Sequence, residues 1–312
     1  MGRLRRAAPW GIRLAVVAVL GMVLLRVGAE PVVEGLRGVT GTAVVVALLL
    51  TAAATVLSAW RWTLVSAALG TSLPLPAAVS SYYRSQLLNS VLPGGVTGDV
   101  ERGLRSTAGS RRGLHGVRVV AWDRAAAQAA QLALLAVVLL VSAGPLRVVG
   151  GLLALLGALV GSAVLLRRRI RGAPVGGMGR AAAAVRGDIA RIAERPATLT
   201  AVVVASVLVT LLHASVFVLA ASITGASLDA VRLLPLALVV QAAMTIPVGF
   251  GGLGPREGMA ALLFAQAGVG ASHGVAAAVA YGVLALIAVL PGLIPLVVSW
   301  TRPIGHAREA AR

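Results

Sequence analysis

Long apolar stretches separated by short arginine-rich segments dominate the chain. A membrane-spanning helix needs about 20 mostly apolar residues. Six segments meet this requirement: Trp10–Ala29, Gly41–Trp60, Val119–Val141, Leu146–Leu166, Ala197–Ile223 and Gly274–Ser299. The pattern therefore predicts an all-α integral membrane protein with about six transmembrane helices.

Two further apolar segments, Pro76–Asp99 and Leu233–Gly270, are interrupted by Pro and Gly near their midpoints. A full crossing by the first would place the arginine-rich loop that follows it outside the cell, against the tendency of positive loops to stay inside. We therefore predict two re-entrant broken helices. Irregular backbone at membrane depth is tolerated only where protein or a water-filled cavity surrounds it.

The arginines define an orientation. Most fall on the side of the N-terminus in this topology, and the exceptions are Arg26, Arg37, Arg147 and Arg232 outside and Arg84, Arg124 and Arg256 at membrane depth. Positive flanks favour the cytoplasmic side. The sequence thus predicts a multi-pass protein of the cell (plasma) membrane with both termini in the cytoplasm. Trp60, Arg61 and Trp62 are interpreted as an interfacial anchor, and Arg84 as a side chain that snorkels.

Composition excludes several functional classes. Hydrophobic residues make up 58% of the chain and charged residues 12%, which leaves no room for a sizeable soluble domain. The net charge of +18 is dispersed among apolar spans, so we expect no nucleic-acid partner. There is no Cys, and the four His lack ligand spacing. We expect no metal, no cofactor and no catalytic residue, and hence a protein that is not an enzyme.

The two interrupted segments resemble each other. Each contains an aliphatic residue, Pro, a Gly-rich turn, an adjacent Arg and Glu, and Gly, with Gln86 or Gln241 upstream. They also enter the membrane from opposite sides in the predicted topology. This is an inverted repeat, typical of secondary transporters. The single membrane domain, 1–312, then divides into halves of about 1–142 and 146–312, with a cytoplasmic amphipathic linker at about 167–196.

Three motifs carry a resemblance to a known family. They are the segment 89–102 (NSVLPGGVTGDVER), the pair Asp123-Arg124, and the segment 247–258 (PVGFGGLGPREG). With these, the chain resembles the lysylphosphatidylglycerol synthase transmembrane-region family of flippase-like membrane proteins over nearly its whole length. Thr97 stands where the family usually has Gly, and Glu101 where an aliphatic residue is common.

The resemblance implies a lipid translocase without the cytosolic aminoacyltransferase domain of better-known relatives, since the chain stops at Arg312. The substrate would be an anionic, aminoacylated or polyprenyl-phosphate-linked lipid. The implied partner would be a separate lipid synthase or glycosyltransferase. Two alternatives are a membrane-embedded lipid headgroup transferase and an accessory subunit of a lipid synthase.

Charges at membrane depth cost roughly 2.5–3.5 kcal/mol each on insertion scales and are seldom incidental. Arg suits a phosphodiester, and Gly lets backbone approach a ligand. We hypothesise that Arg102 and Arg256 contact a lipid phosphate, with Glu101 and Glu257 either balancing the charge or contacting a cationic headgroup. The candidate substrate-binding residues are Asn89, Pro93, Gly94, Gly95, Gly98, Asp99, Glu101, Arg102, Asp123, Arg124, Pro247, Gly249, Gly251, Gly252, Gly254, Arg256 and Glu257.

Structural interpretations stand beside these roles. Adjacent Arg and Glu side chains could simply pair and hold each re-entrant loop. Asp99 could cap a helix start, and Asn89 could hydrogen-bond between helices. Asp123 and Arg124 point to different helix faces, so each needs another partner. For Arg124, the sequence offers Asp99 or Glu101.

Overall fold

The computed structural model describes residues 30–92, 95–107, 115–141, 187–192, 194–245 and 254–301. Throughout these ranges the chain forms helices joined by turns, and no β-strand occurs in them. The prediction of an all-α fold is confirmed.

The first half of the chain contributes five described helices. They are α1 (Glu30–Arg37), α2 (Gly41–Ala68), α3 (Leu75–Val91), α4 (Thr97–Ser106) and α5 (His115–Val141). The second half contributes α6 (Pro196–Ile223), α7 (Ala230–Met244), α8 (Pro255–Gln266), α9 (Ala271–Val289), a 3-10 turn (Leu290–Gly292) and α10 (Leu293–Thr301).

Four helical stretches within the described residues are long and apolar enough to cross a membrane. They are Gly41–Ala68, His115–Leu140, Pro196–Ile223 and Ala271–Val298. Each coincides with a predicted span, and the chain is a multi-pass membrane protein. The predicted spans Trp10–Ala29 and Leu146–Leu166 lie outside the described residues.

Both interrupted segments are pairs of helices rather than single spans. Pro76–Asp99 falls on α3, a break at 92–96 and the start of α4, and Leu233–Gly270 falls on α7 and α8. Gly95 in the first break has a φ of +60°, a conformation that glycine adopts without steric cost. At 17 residues, α3 is about 26 Å long, short of a hydrocarbon layer of roughly 30 Å.

The first two helix pairs of the repeat begin at the same offset along the chain, and the next two begin within three residues of it. The 28-residue helices α2 and α6 begin at Gly41 and Pro196, which are 155 residues apart. The shorter helices α3 and α7 begin at Leu75 and Ala230, again 155 residues apart. A break, a short helix and a long helix follow in each half. The equal spacing supports the predicted internal repeat.

Corresponding helices run in opposite directions. A Cβ atom on Gly38, just before α2, would lie 2.8 Å from the carbonyl oxygen of Ile223, the last residue of α6. Nearer the other end of α2, Arg61 donates from Nη1 to Ser206 of α6 at 3.2 Å. The two helices are therefore antiparallel, as an inverted repeat requires.

One end of the bundle brings together the end of α2 and the starts of α3 and α5. The Thr71 hydroxyl lies 2.9 Å from Nε2 of His115, the first residue of α5. We call this end the His115 face. In contrast, the first half of α9 packs beside α1, where Gly35 approaches Val279. Counterparts α5 and α9 thus start at opposite faces.

The interior is packed with small and aliphatic side chains. Several alanines of α2, α6 and α9 are fully buried, including Ala54, Ala205 and Ala277. Small residues let membrane helices approach closely. Other large aliphatic side chains are exposed, among them Leu49 and Leu140, as expected for surfaces that contact lipid.

Candidate functional site

A network of buried charges joins four helices of the first half, and Asp123 of α5 lies at its centre. Arg61 of α2 donates from Nε to Oδ1 of Asp123 at 2.8 Å. The Tyr82 hydroxyl of α3 donates to Oδ2 at 2.6 Å, and Nη2 of Arg102 on α4 donates to the same oxygen at 3.3 Å. The Asp123 carboxylate is fully buried, so water does not solvate its charge. The guanidinium groups of Arg61 and Arg102 neutralise that charge instead.

Arg102 is enclosed by aromatic rings. Its Cζ lies 4.4 Å from the ring centroid of Trp62 and 3.9 Å from that of Tyr82. Desolvated cation–π contacts of this kind contribute about 2 kcal/mol. Nη2 also reaches Asp99 at 3.2 Å, while Nε and Nη1 have no hydrogen-bond partner among the described residues. The side chain is completely buried, so Arg102 does not face lipid in this conformation.

Asp99 links α4 to its neighbours instead of capping it. Because α4 begins at Thr97, Asp99 lies within the first turn, and its carboxylate accepts from Ser85 at 3.1 Å and Asn89 at 3.0 Å. The capping interpretation is therefore wrong. Asn89 also accepts from the Gly98 N–H at 2.8 Å, which fixes the start of α4 against α3.

Arg124 pairs with Asp99, one of the two partners that the sequence predicted for it. Its side chain stays 49% exposed. Glu101, the sequence neighbour of Arg102, pairs instead with Arg84 at 2.8 Å and with Arg105. The adjacent Arg–Glu pair expected in this half is therefore wrong, since Arg102 pairs with Asp99 and Asp123 and not with Glu101. Arg84 is buried and does not snorkel.

The network lies well inside the bundle. Arg61 is seven residues before the end of α2, Tyr82 seven after the start of α3, and Asp123 eight after the start of α5. At 1.5 Å per residue, the three side chains sit about 10–12 Å from the His115 face.

Positive charge exceeds negative charge in this region. The described ion pairs here involve five arginines and three acids: Arg61, Arg84, Arg102, Arg105, Arg124, Asp99, Glu101 and Asp123. Two positive charges are left without a counterion of their own within the network. The region therefore has an electrostatic preference for an anion.

The second half holds a much smaller site. Arg256 donates to Oε1 of Glu257 from Nε at 2.9 Å and from Nη2 at 2.6 Å, and both side chains are buried. Oε2 of Glu257 accepts from the Gly254 N–H at 2.6 Å. In this half, the adjacent Arg and Glu do pair with each other. The Arg256 guanidinium also lies beside α9, with its Cζ 5.6 Å from the ring centroid of Tyr281.

The two halves are unequal in polarity. Residues 155 positions after Arg61 and Tyr82 are Val216 and Ala237, both buried and apolar. Among the described residues, the ion-pair partners of Arg102 are Asp99 and Asp123 and that of Arg256 is Glu257, so the two arginines share no partner. The repeat therefore positions two separate groups, of which only the first is an extended charge network.

Several residues escaped prediction. Arg61 and Trp62 are buried, so the interpretation of Trp60–Trp62 as an interfacial anchor is wrong for those two. The signal was the apolar run that continues to Ala68 and places Arg61 inside the helix. Six candidates lie outside the described residues: Pro93, Gly94, Pro247, Gly249, Gly251 and Gly252.

A model of the family described as Lysylphosphatidylglycerol synthase TM region matches residues 10–292. The chain belongs to this family. The match covers every described helix up to the 3-10 turn, including the whole network and the Arg256 pair. Membership relates the protein to lipid synthesis or flipping. No curated protein matches the chain.

In this family member, Gly98 serves the packing of α3 against α4. A Cβ atom there would lie 2.8 Å from Cα of Ser85, a backbone contact that cannot rotate away. We expect Gly98→Ala to lower the free energy of unfolding by about 1–3 kcal/mol, as overpacking commonly does. Thermal unfolding in detergent measures this.

A matched control for that substitution is Gly258→Ala in α8, where nothing lies within 4 Å of the added atom. Ala favours helix over Gly, so this variant should be neutral or slightly more stable. Equal stability of the two variants would contradict the packing role of Gly98.

Proposed function

We propose that this protein is a lipid translocase that moves an anionic, aminoacylated or polyprenyl-phosphate-linked lipid between leaflets. The observation that carries the proposal is the buried charge network around Asp123, with its excess of arginine. Family membership adds support, since it relates the chain to lipid synthesis or flipping. A phosphate-bearing headgroup is the part of a lipid that such a network attracts.

The cost of the network argues for a function beyond packing. Asp123, Arg102 and Arg61 are buried in helices of membrane-spanning length or packed against them. Replacing buried ion pairs by apolar residues of similar volume is often neutral or stabilising. Stability alone therefore does not require these charges.

The antiparallel repeat supplies a mechanism. Each half contains a broken helix pair, α3–α4 or α7–α8, packed against a long helix. Relative rocking of two such halves alternates access to a site between them. In our proposal, a headgroup crosses along the polar first half while its acyl chains stay in lipid.

We also propose an orientation of the chain in the membrane. Arginines are concentrated on the side of the His115 face, so this face lies in the cytoplasm of a plasma-membrane protein. A separate lipid synthase or glycosyltransferase would deliver the substrate there. The translocase itself performs no covalent chemistry on the lipid.

Transport by the purified protein tests the proposal. In liposomes that contain headgroup-labelled phospholipids, we expect labelled lipid to reach the far leaflet faster than in vesicles without protein. Replacing the exposed Glu34 by Gln serves as a control and should leave the rate unchanged. Equal rates with and without protein refute translocation. A chemically modified lipid in cells that express only this chain would favour the transferase alternative.

A further inference from the structure

The outward side of α4 combines an apolar stripe with flanking arginines. Val96, just before the helix, Val100 and Leu104 are each exposed by 46–48% and are spaced four residues apart. Residues at this spacing lie on one face of a helix. The buried residues Asp99, Arg102 and Gly103 occupy the other side. A hydrocarbon chain could lie along this stripe.

Arginines stand on both flanks of the stripe. On the α3 flank, Arg105 pairs with Glu101, and its side chain is 45% exposed. On the α5 flank, Arg124 pairs with Asp99 and is likewise half-exposed. Asp99 also accepts from Arg102, and Glu101 from Arg84, so each acid serves more than one guanidinium. Both exposed arginines retain capacity for an additional anion.

The two arginines lie at different depths. Gly103 of α4 packs against Val117 of α5, where a Cβ atom would lie 2.7 Å from the Val117 Cα. The two helices are antiparallel, so Arg105 is level with the start of α5. Arg124 is nine residues into α5, about 13 Å further along its axis.

That separation exceeds the thickness of the headgroup layer. A bilayer is roughly 40–45 Å thick with a hydrocarbon core of about 30 Å, which leaves roughly 5–8 Å of headgroup region on each side. If the 26-residue span His115–Leu140 is centred on the hydrocarbon core, Arg124 lies within that core, where a half-exposed guanidinium is costly unless an anion or water reaches it.

We propose that Arg105 and Arg124 are successive binding positions for the phosphate of a membrane lipid along the exposed side of α4. Arg105 binds the phosphate at the surface. Arg124 exchanges Asp99 for the phosphate and holds it below the headgroup layer, while the stripe from Val96 to Leu104 contacts an acyl chain. This inference rests on the proposed translocation and names its first two steps.

A fluorophore at the end of the stripe, three residues before the Arg124 partner Asp99, would test the deeper position. The chain contains no Cys, so Val96→Cys provides a single labelling site at the tip of the α3–α4 pair. In phosphatidylcholine nanodiscs, the probe is a nitroxide carried on the headgroup of a phosphodiester lipid. The comparison probe carries the same nitroxide on diacylglycerol without phosphate. We expect the phosphate-bearing lipid to quench about tenfold more effectively, as for a charge-assisted hydrogen bond.

Substitutions identify the residues. Arg124→Gln should abolish the preference for the phosphate-bearing lipid. Arg105→Gln should raise the lipid fraction needed for half-maximal quenching about fivefold, the effect of one surface arginine. Arg191→Gln, an exposed arginine in the segment 187–192, is the control and should change neither value. Because the side chains of Arg105 and Arg124 are half-exposed, we expect both variants to fold. A single symmetrical gel-filtration peak checks this.

The possible results separate the two proposals. Equal quenching by the two nitroxide lipids, or an unchanged preference in folded Arg124→Gln, overturns the binding positions while leaving translocation open to its own assay. Preferential quenching without transport in liposomes upholds the binding positions and refutes translocation.

Discussion

Asp123→Asn should cost the protein about 3–5 kcal/mol of folding free energy, because removing one partner leaves buried charges uncompensated. Arg61 and Arg102 both depend on this carboxylate, at 2.8 and 3.3 Å. Asn matches the shape of Asp, so the loss reports charge and not a cavity. Thermal unfolding in detergent and the yield of monodisperse protein measure it.

Two further variants make this prediction specific. Glu34→Gln removes an exposed acid and should change stability by less than about 0.5 kcal/mol. The double variant Arg61→Gln/Asp123→Asn removes a positive charge together with the carboxylate and should recover part of the loss. If Asp123→Asn unfolds at the wild-type temperature, the network does not stabilise the fold.

Periodicity along the chain predicted the helices better than their partners. Uninterrupted apolar runs gave α2, α5, α6 and α9, because length and hydropathy alone decide whether a helix can span a bilayer. The breaks were predictable for a similar reason, since Pro and clustered Gly do not continue a helix. Neither the apolar runs nor the positions of Pro and Gly indicate how one helix is rotated about its axis relative to the next.

The rotation of each helix decides which charged side chains face one another in the site. The sequence offers Asp99 or Glu101 to Arg124 as a partner on another helix, and the structure confirms the pair with Asp99. Arg61 escaped because two tryptophans beside an arginine are typical of a membrane interface. Its true surroundings come from helices α3, α5 and α6, which the sequence does not align with α2.

The failed capping assignment of Asp99 has a narrower cause. Helix ends cannot be located from sequence to better than a few residues, and a shift of three residues moves Asp99 from the cap into the first turn. In that turn its side chain points toward α3 and α5 and accepts from Ser85, Asn89 and Arg124. Because of this uncertainty, the sequence does not distinguish a cap at the helix start from a position of Asp99 in an extended charge network.

Arg256 and Glu257 allow stability and transport to be measured separately. Arg256→Met alone leaves Glu257 buried without its cation, and we expect a loss of about 3–5 kcal/mol in unfolding free energy. The double variant Arg256→Met/Glu257→Gln removes both charges. Its amide retains an oxygen to accept from the Gly254 N–H, so most of that stability should return.

Transport should not return with stability. If Arg256 contacts the lipid phosphate, the restored double variant should translocate at least tenfold more slowly than wild type, the loss of about one charge-assisted hydrogen bond. The liposome assay with headgroup-labelled lipid measures this at matched protein content. Wild-type transport by a stable double variant would show that the pair only holds the start of α8. The headgroup path would then be confined to the first half, where arginine outnumbers acid and where a phosphate has a reason to enter.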